Sequence, residues 1–174
     1  MASSRLPGKP LKKINGLSMI EHVRRRVSMC SIINDVIVAT CDQVIVDEVK
    51  SYNGKVVMTS VSHNSCVDRV EEAAKEIDAD IIINVQGDMP LVSPSSLKEL
   101  IQPILDSDSI HYTDMISSIT DQDEIYNHNV VKVVKSLTND AIYYTRLPIP
   151  FSLETSENNN IYYKQLGINA YRKN

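Results

Sequence analysis

The chain has 174 residues, 43% of them hydrophobic and 23% charged, with a formal charge of −4. That supplies apolar material for a compact domain with a sizeable core, and it gives no general attraction to nucleic acid or an anionic membrane. Cys30, Cys41 and Cys66 lack C-x-x-C spacing and the four histidines lie far apart, so neither a disulfide framework nor a zinc site is indicated.

Ser3-Ser4-Arg5-Leu6-Pro7-Gly8-Lys9-Pro10-Leu11 opens the chain. Gly8 lets backbone approach an anion, the prolines stiffen the segment, and Arg5 and Lys9 offer a planar fork and a point charge for phosphate oxygens. A plain basic surface loop is the competing reading. A helix is expected over about 17–30, with Met19, Val23 and Val27 on its apolar side and Arg24-Arg25-Arg26 on its wet side. Residues 35–40 read as a buried strand and 43–52 as a helix closed by Asn53-Gly54. Next come a short strand at 56–58 and a charged helix at 68–77.

Ile81-Ile82-Ile83-Asn84-Val85 has the character of a doubly covered strand, and it stops abruptly at Gln86-Gly87-Asp88. Ligands of open α/β sheets bind beyond the carboxyl ends of strands. A carboxylate there suits Mg²⁺ bound to nucleotide phosphates, although Asp88 is equally a residue type that forms turns. A helix follows at 94–105, with Pro94 near its start. Strands alternating with helices at this spacing imply βαβ units and a parallel sheet. Beyond about residue 112 the strands crowd together at 113–119, 130–135, 141–146 and 164–171, with a hairpin around Thr138-Asn139-Asp140. The polar stretch 154–160 is expected to be a mobile loop. No apolar run reaches membrane-spanning length, and no signal-peptide core is visible. Scattered cysteines fit a reduced, cytoplasmic setting.

These motifs carry a resemblance. The opening segment, then Val85-Gln86-Gly87-Asp88, Asn129-Val130-Val131-Lys132-Val133-Val134, Thr145-Arg146-Leu147-Pro148-Ile149-Pro150, Leu166-Gly167-Ile168 and Tyr171-Arg172 follow one another as in the 3-deoxy-manno-octulosonate cytidylyltransferases, or CMP-Kdo synthetases. The chain resembles that family nearly end to end. The resemblance implies an α/β, Rossmann-like nucleotidyltransferase fold with a mostly parallel sheet flanked by helices and a smaller β-rich acceptor and dimerisation part. It divides the single domain of 1–174 into a nucleotide-binding half, 1–110, and a sugar-binding half, 111–174. It implies transfer of CMP from CTP to an acidic sugar, Kdo or a relative, with release of pyrophosphate, for surface polysaccharide synthesis. Alternatives are another nonulosonic acid as acceptor, or a non-catalytic nucleotide-binding relative.

By the same resemblance, Ser3, Arg5 and Lys9 contact the CTP phosphates, with Lys9 and Asp88 catalytic and Asp88 the Mg²⁺ ligand. Ser65, Arg69 and Gln86 contact the nucleotide. Arg146 is a candidate for the sugar carboxylate, or a surface arginine after an edge strand. Gln165 stands where a sugar-contacting His is usual. Cys66 and Val67 replace Gly and Thr, Met89 replaces Glu, and Asn169 replaces Tyr, so the acceptor sugar is open. The family's first strand and its second metal-binding Asp have no counterpart here, and the chain is expected to be partial at both ends. A homodimer is expected, with no nucleic-acid partner and no membrane insertion.

Overall fold

The computed structural model describes residues 6–63, 65–150 and 161–173. The chain forms two compact units. The first comprises residues up to Thr113 together with those from Asn169 onward, and the second is Asp114–Ile168.

The first unit begins with a 3-10 turn at Lys9–Leu11. Gly8 enters it at φ 68, a left-handed conformation that glycine adopts without steric cost. A tight hairpin joins β1 (Lys13–Ile14) to β2 (Leu17–Ser18), turning at Asn15-Gly16. The sequence pattern predicts a helix from about residue 17 and no hairpin before it. Helix α1 (Met19–Ser28) buries Ile20, Glu21, Val23 and Val27. β3 (Ile37–Thr40) pairs in parallel with β4 (Lys55–Met58) through the crossover helix α2 (Gln43–Ser51). As expected, Asn53-Gly54 closes α2, with Asn53 at φ 55 and the Gly54 N–H donating to the Val49 carbonyl at 2.9 Å. Ile20, Ile45 and Val49 form a buried cluster with Leu11, Val38 and Val56 against it.

α3 (Cys66–Lys75) leads to β5 (Ile81–Asn84). α4 (Pro94–Asp106) presents Leu97, Leu100, Ile101 and Ile104 as its buried stripe, at the i, i+3, i+4, i+7 spacing of one helix face. The closing residues of β9 (Tyr163–Arg172) return to pair with β5, Ile81 opposite Arg172 and Asn84 opposite Asn169.

That return is antiparallel. The expected mostly parallel sheet is instead divided: β3 and β4 pair in parallel across a helix crossover in a sheet of their own, and β9 pairs antiparallel with both β5 and β7. The α/β class itself stands. The three arginines of α1 also depart from the expected solvated face. Arg24 and Arg25 both bind the buried Glu21, and Arg26 Nε donates to the Val92 carbonyl at 2.8 Å.

In the second unit, β7 (Lys132–Lys135) pairs antiparallel with β8 (Ala141–Thr145), and the start of β9 lies along β7. The hairpin turn is the expected one, with Asn139 at φ 69 and the Ser136 N–H donating to the Asp140 carbonyl at 2.8 Å. β6 (Tyr112–Ser118) pairs with β9. A short helix absent from the sequence reading, α5 (Gln122–Tyr126), is capped by the Asp121 carboxylate, which accepts from the Asp123 N–H at 3.0 Å. No helix among the described residues is long and apolar enough to cross a membrane. Of the sequence expectations, Ser3, Arg5 and the polar loop 154–160 lie outside the described residues.

Candidate functional site

Lys9 and Asp88 come from segments 79 residues apart, yet Lys9 Nζ lies 2.6 Å from Asp88 Oδ2. Two local devices place them. The 3-10 turn started by Gly8 carries Lys9, closed by the Lys12 N–H donating to the Lys9 carbonyl at 3.1 Å. Asp88 sits just past β5, where Gly87 threads against α1: a Cβ on Gly87 would stand 3.0 Å from Ile20 Cδ1. Both side chains remain accessible, at 32% and 46% exposed. A half-exposed pair of this kind adds at most about 1 kcal/mol to stability, so its interest is in its place. It puts a cation and a hard carboxylate at the carboxyl end of a strand, side by side.

The loop after β4 and the start of α3 form a second cluster in the same unit. Ser65 caps α3, its hydroxyl accepting from the Asp68 N–H at 3.2 Å. Gln86 Nε2 lies 3.6 Å from Cys66 Sγ, so the residue after β5 reaches the first residue of α3. Arg69 donates to Thr59 Oγ1 and, at 3.3 Å, to the Ser60 carbonyl. Glu72 accepts from the Ser60 N–H and from His63. The His63 hydrogen bond, followed by the Ser60 N–H, holds the Glu72 carboxyl below its ordinary range. The His63–Glu72 contact escaped the sequence reading, although their nine-residue separation spans the loop into α3.

The second unit holds the two residues assigned to the sugar. Gln165 Nε2 donates to Asp114 Oδ2 at 2.7 Å, and the Tyr144 hydroxyl donates to the same oxygen at 2.9 Å. Asp114 thus turns the Gln165 amide. Arg146 is exposed, and its guanidinium donates to the His128 carbonyl at 2.8 Å. It forms no ion pair with a carboxylate among the described residues. Lys132 is completely buried beside it. No group of three or more potential metal ligands gathers among the described residues.

Comparison with known proteins decides the family. A profile of the cytidylyltransferases matches residues 1–174. The chain belongs to the cytidylyltransferase family. The chain is similar to the 3-deoxy-manno-octulosonate cytidylyltransferase of Geobacter metallireducens, 42% identical over 86% of this chain and 59% of that protein. The enzyme of the same name from Geobacter sulfurreducens is 36% identical over 99% of this chain and 72% of its own length. This chain thus spans between about six and seven tenths of those relatives. Among solved structures, CMP:2-keto-3-deoxy-manno-octonic acid synthetase complexed with CTP superimposes with a TM-score of 0.91 at 37% identity, covering 98% of this chain and 70% of that one. The family is one of nucleotidyltransferases, the class that the sequence predicts.

Proposed function

We propose that this cytidylyltransferase moves CMP from CTP to the anomeric hydroxyl of Kdo or a related acidic sugar and releases pyrophosphate, as a step in surface polysaccharide synthesis. The observation that carries the reading is the Lys9–Asp88 contact, which joins the opening Gly-Lys segment to the Gln-Gly-Asp end of β5. Lys9 neutralises charge on the phosphates as pyrophosphate departs, together with Ser3 and Arg5. Gln86, Ser65 and Arg69 line the nucleotide end. Arg146 meets the sugar carboxylate, and Gln165, oriented by Asp114, meets a sugar hydroxyl.

Mg²⁺ fits the donors present. Asp88 is an accessible hard-oxygen ligand, and with no fuller cage among the described residues the ion would be held chiefly by phosphate oxygens and water. It would supply charge neutralisation at the transferred phosphoryl group. Free Cys30, Cys41 and Cys66 support a reducing cytoplasmic setting.

The test is pyrophosphate release by the full-length protein, with CTP, UTP, ATP and GTP each offered against a panel of acidic sugars. Turnover confined to CTP with Kdo is expected. A higher kcat/KM for another nonulosonic acid would reassign the acceptor, a change that Gln165 in place of His makes the natural alternative. No turnover with any pair would end the reading.

A further inference from the structure

Lys132 is a buried cation with no anion beside it among the described residues. Its side chain is fully enclosed, 0% exposed, at the start of β7. Nζ donates to three carbonyls: Asn127 at 2.7 Å, Val130 at 3.1 Å and Arg146 at 3.1 Å. An ammonium has three donors, and all three are used. No carboxylate pairs with Lys132 among the described residues. Burial, and then the neighbouring charge of Arg146, push its pKa below the ordinary lysine value. A buried charge held only by dipoles costs stability compared with an apolar residue of the same volume. A methionine would fill the space without that cost, so the position calls for what the ammonium does.

What it does is brace Arg146 from behind. The turn between α5 and β7 is closed by the Val130 N–H donating to the Asn127 carbonyl at 3.0 Å. Lys132 takes the carbonyls at both ends of that turn, and Arg146 takes the one between, at His128. Lys132 also holds the main-chain carbonyl of Arg146 itself. Backbone and guanidinium of Arg146 are therefore tied to one small scaffold with Lys132 at its centre. A long exposed side chain otherwise loses considerable rotamer entropy when it captures a ligand, and fixing it beforehand removes part of that cost.

We propose that Lys132 is the positioning residue of the acidic-sugar subsite, holding Arg146 where its guanidinium receives the sugar carboxylate. The proposal rests on the reading of Arg146 given above. It concerns capture of the sugar and leaves CTP capture to the first unit.

Steady-state kinetics on the full-length enzyme test it, with Kdo and its C1 amide as acceptors. Lys132→Met should raise KM for Kdo by about tenfold, leave KM for CTP within about twofold, and hardly alter KM for the amide, since the displaced contact serves the carboxylate, which the amide lacks. Lys132→Arg should restore part of the loss. The Lys132→Met, Arg146→Ala double variant should be no worse for Kdo than Arg146→Ala alone. If Arg146→Ala raises KM for Kdo and Lys132→Met does not, the positioning role fails while the sugar reading survives. If Arg146→Ala has no effect on Kdo, the sugar reading of Arg146 fails. A Lys132→Met effect persisting in that case, or adding fully in the double variant, shows that Lys132 acts by another route and overturns the proposal. A measurement on the unaltered protein covers the case in which Lys132→Met does not fold. The ¹⁵N relaxation of Arg146 Nε–Hε should report a side chain as rigid as the backbone, and ps–ns motion well beyond that of the backbone overturns the proposal.

Discussion

At the scale of single residues, the Lys9–Asp88 contact couples two motifs that the sequence displays separately. Without nucleotide the two charges satisfy each other. On the proposed reading, nucleotide phosphates would compete for the lysine and an accompanying cation for the carboxylate. Asp88→Ala should therefore lower turnover by on the order of 10² or more if the metal supplies several kcal/mol to the transition state. Lys9→Ala should weaken CTP binding and turnover together. Both residues are accessible, so thermal unfolding of each variant should match the parent. Activity near the parent's in Asp88→Ala, or a melting shift that accounts for the loss, would remove that residue from the site. The two motifs were legible because glycine, proline and charge lie close together in sequence. Lys132 was not. In an apolar strand a lysine is ordinarily read as the solvent-facing partner of its neighbours, and only the fold shows three carbonyls gathered around it. Asp114 was silent for the same reason: its partners are 30 and 51 residues away.

At the scale of elements, α1 shows how local pattern and tertiary context divide the work. Its apolar spacing announces a helix, and the run of three arginines reads as a solvated face. Yet Glu21 is wholly buried, with the guanidinium of Arg24 bidentate on it at 2.7 and 2.6 Å and Arg25 at 2.7 Å. Arg25 also lies over the Tyr52 ring, 5.3 Å from its centroid, tying α1 to the end of α2. Burial pushes the Glu21 carboxyl up, but the hydrogen bonds and charges of the two arginines prevail and hold it below the ordinary value. The folded form thus binds the proton less readily than the unfolded chain. The stability this contributes is fully present above the ordinary carboxylate pKa and is lost as pH falls through the lowered folded one. Glu21→Gln should cost about 2–3 kcal/mol at neutral pH, toward the low side because Arg25 is half exposed. It should also flatten the fall in Tm as pH drops below the ordinary carboxylate pKa. Equal slopes in parent and variant would remove Glu21 from the acid response. Helices α1 to α4 and most strands were legible from periodicity and capping residues, whereas the five-residue α5 is too short to show a period. The β1–β2 hairpin had its signal too, Asn15-Gly16, but each strand is only two residues long and lies too close to α1 to stand out. The antiparallel return of β9 along β5 was hidden, because pairing between segments so far apart leaves no mark on local pattern.

At the scale of the whole molecule, the second unit carries exposed apolar side chains along one strand. β8 pairs with β7 and, among the described residues, with no further strand. Along it and just beyond, Ile142, Tyr143 and Leu147 are 65%, 56% and 61% exposed. Single exposed apolar residues are unremarkable, but several on one edge strand form the kind of surface that soluble proteins cover. A second copy of the chain is the simplest cover, since a two-fold axis lets β8 meet its own equivalent. Light scattering on the purified protein should give twice the protomer mass. Ile142→Lys and Leu147→Lys, singly or together, should shift the population toward the protomer mass. Because both side chains lie on the surface of one protomer, the variants should keep a folded protomer with its far-UV circular dichroism intact, and any fall in Tm should depend on protein concentration, as dimer dissociation requires. A doubled mass that survives both substitutions would place the contact elsewhere, and a protomer mass in the parent would leave β8 a solitary edge.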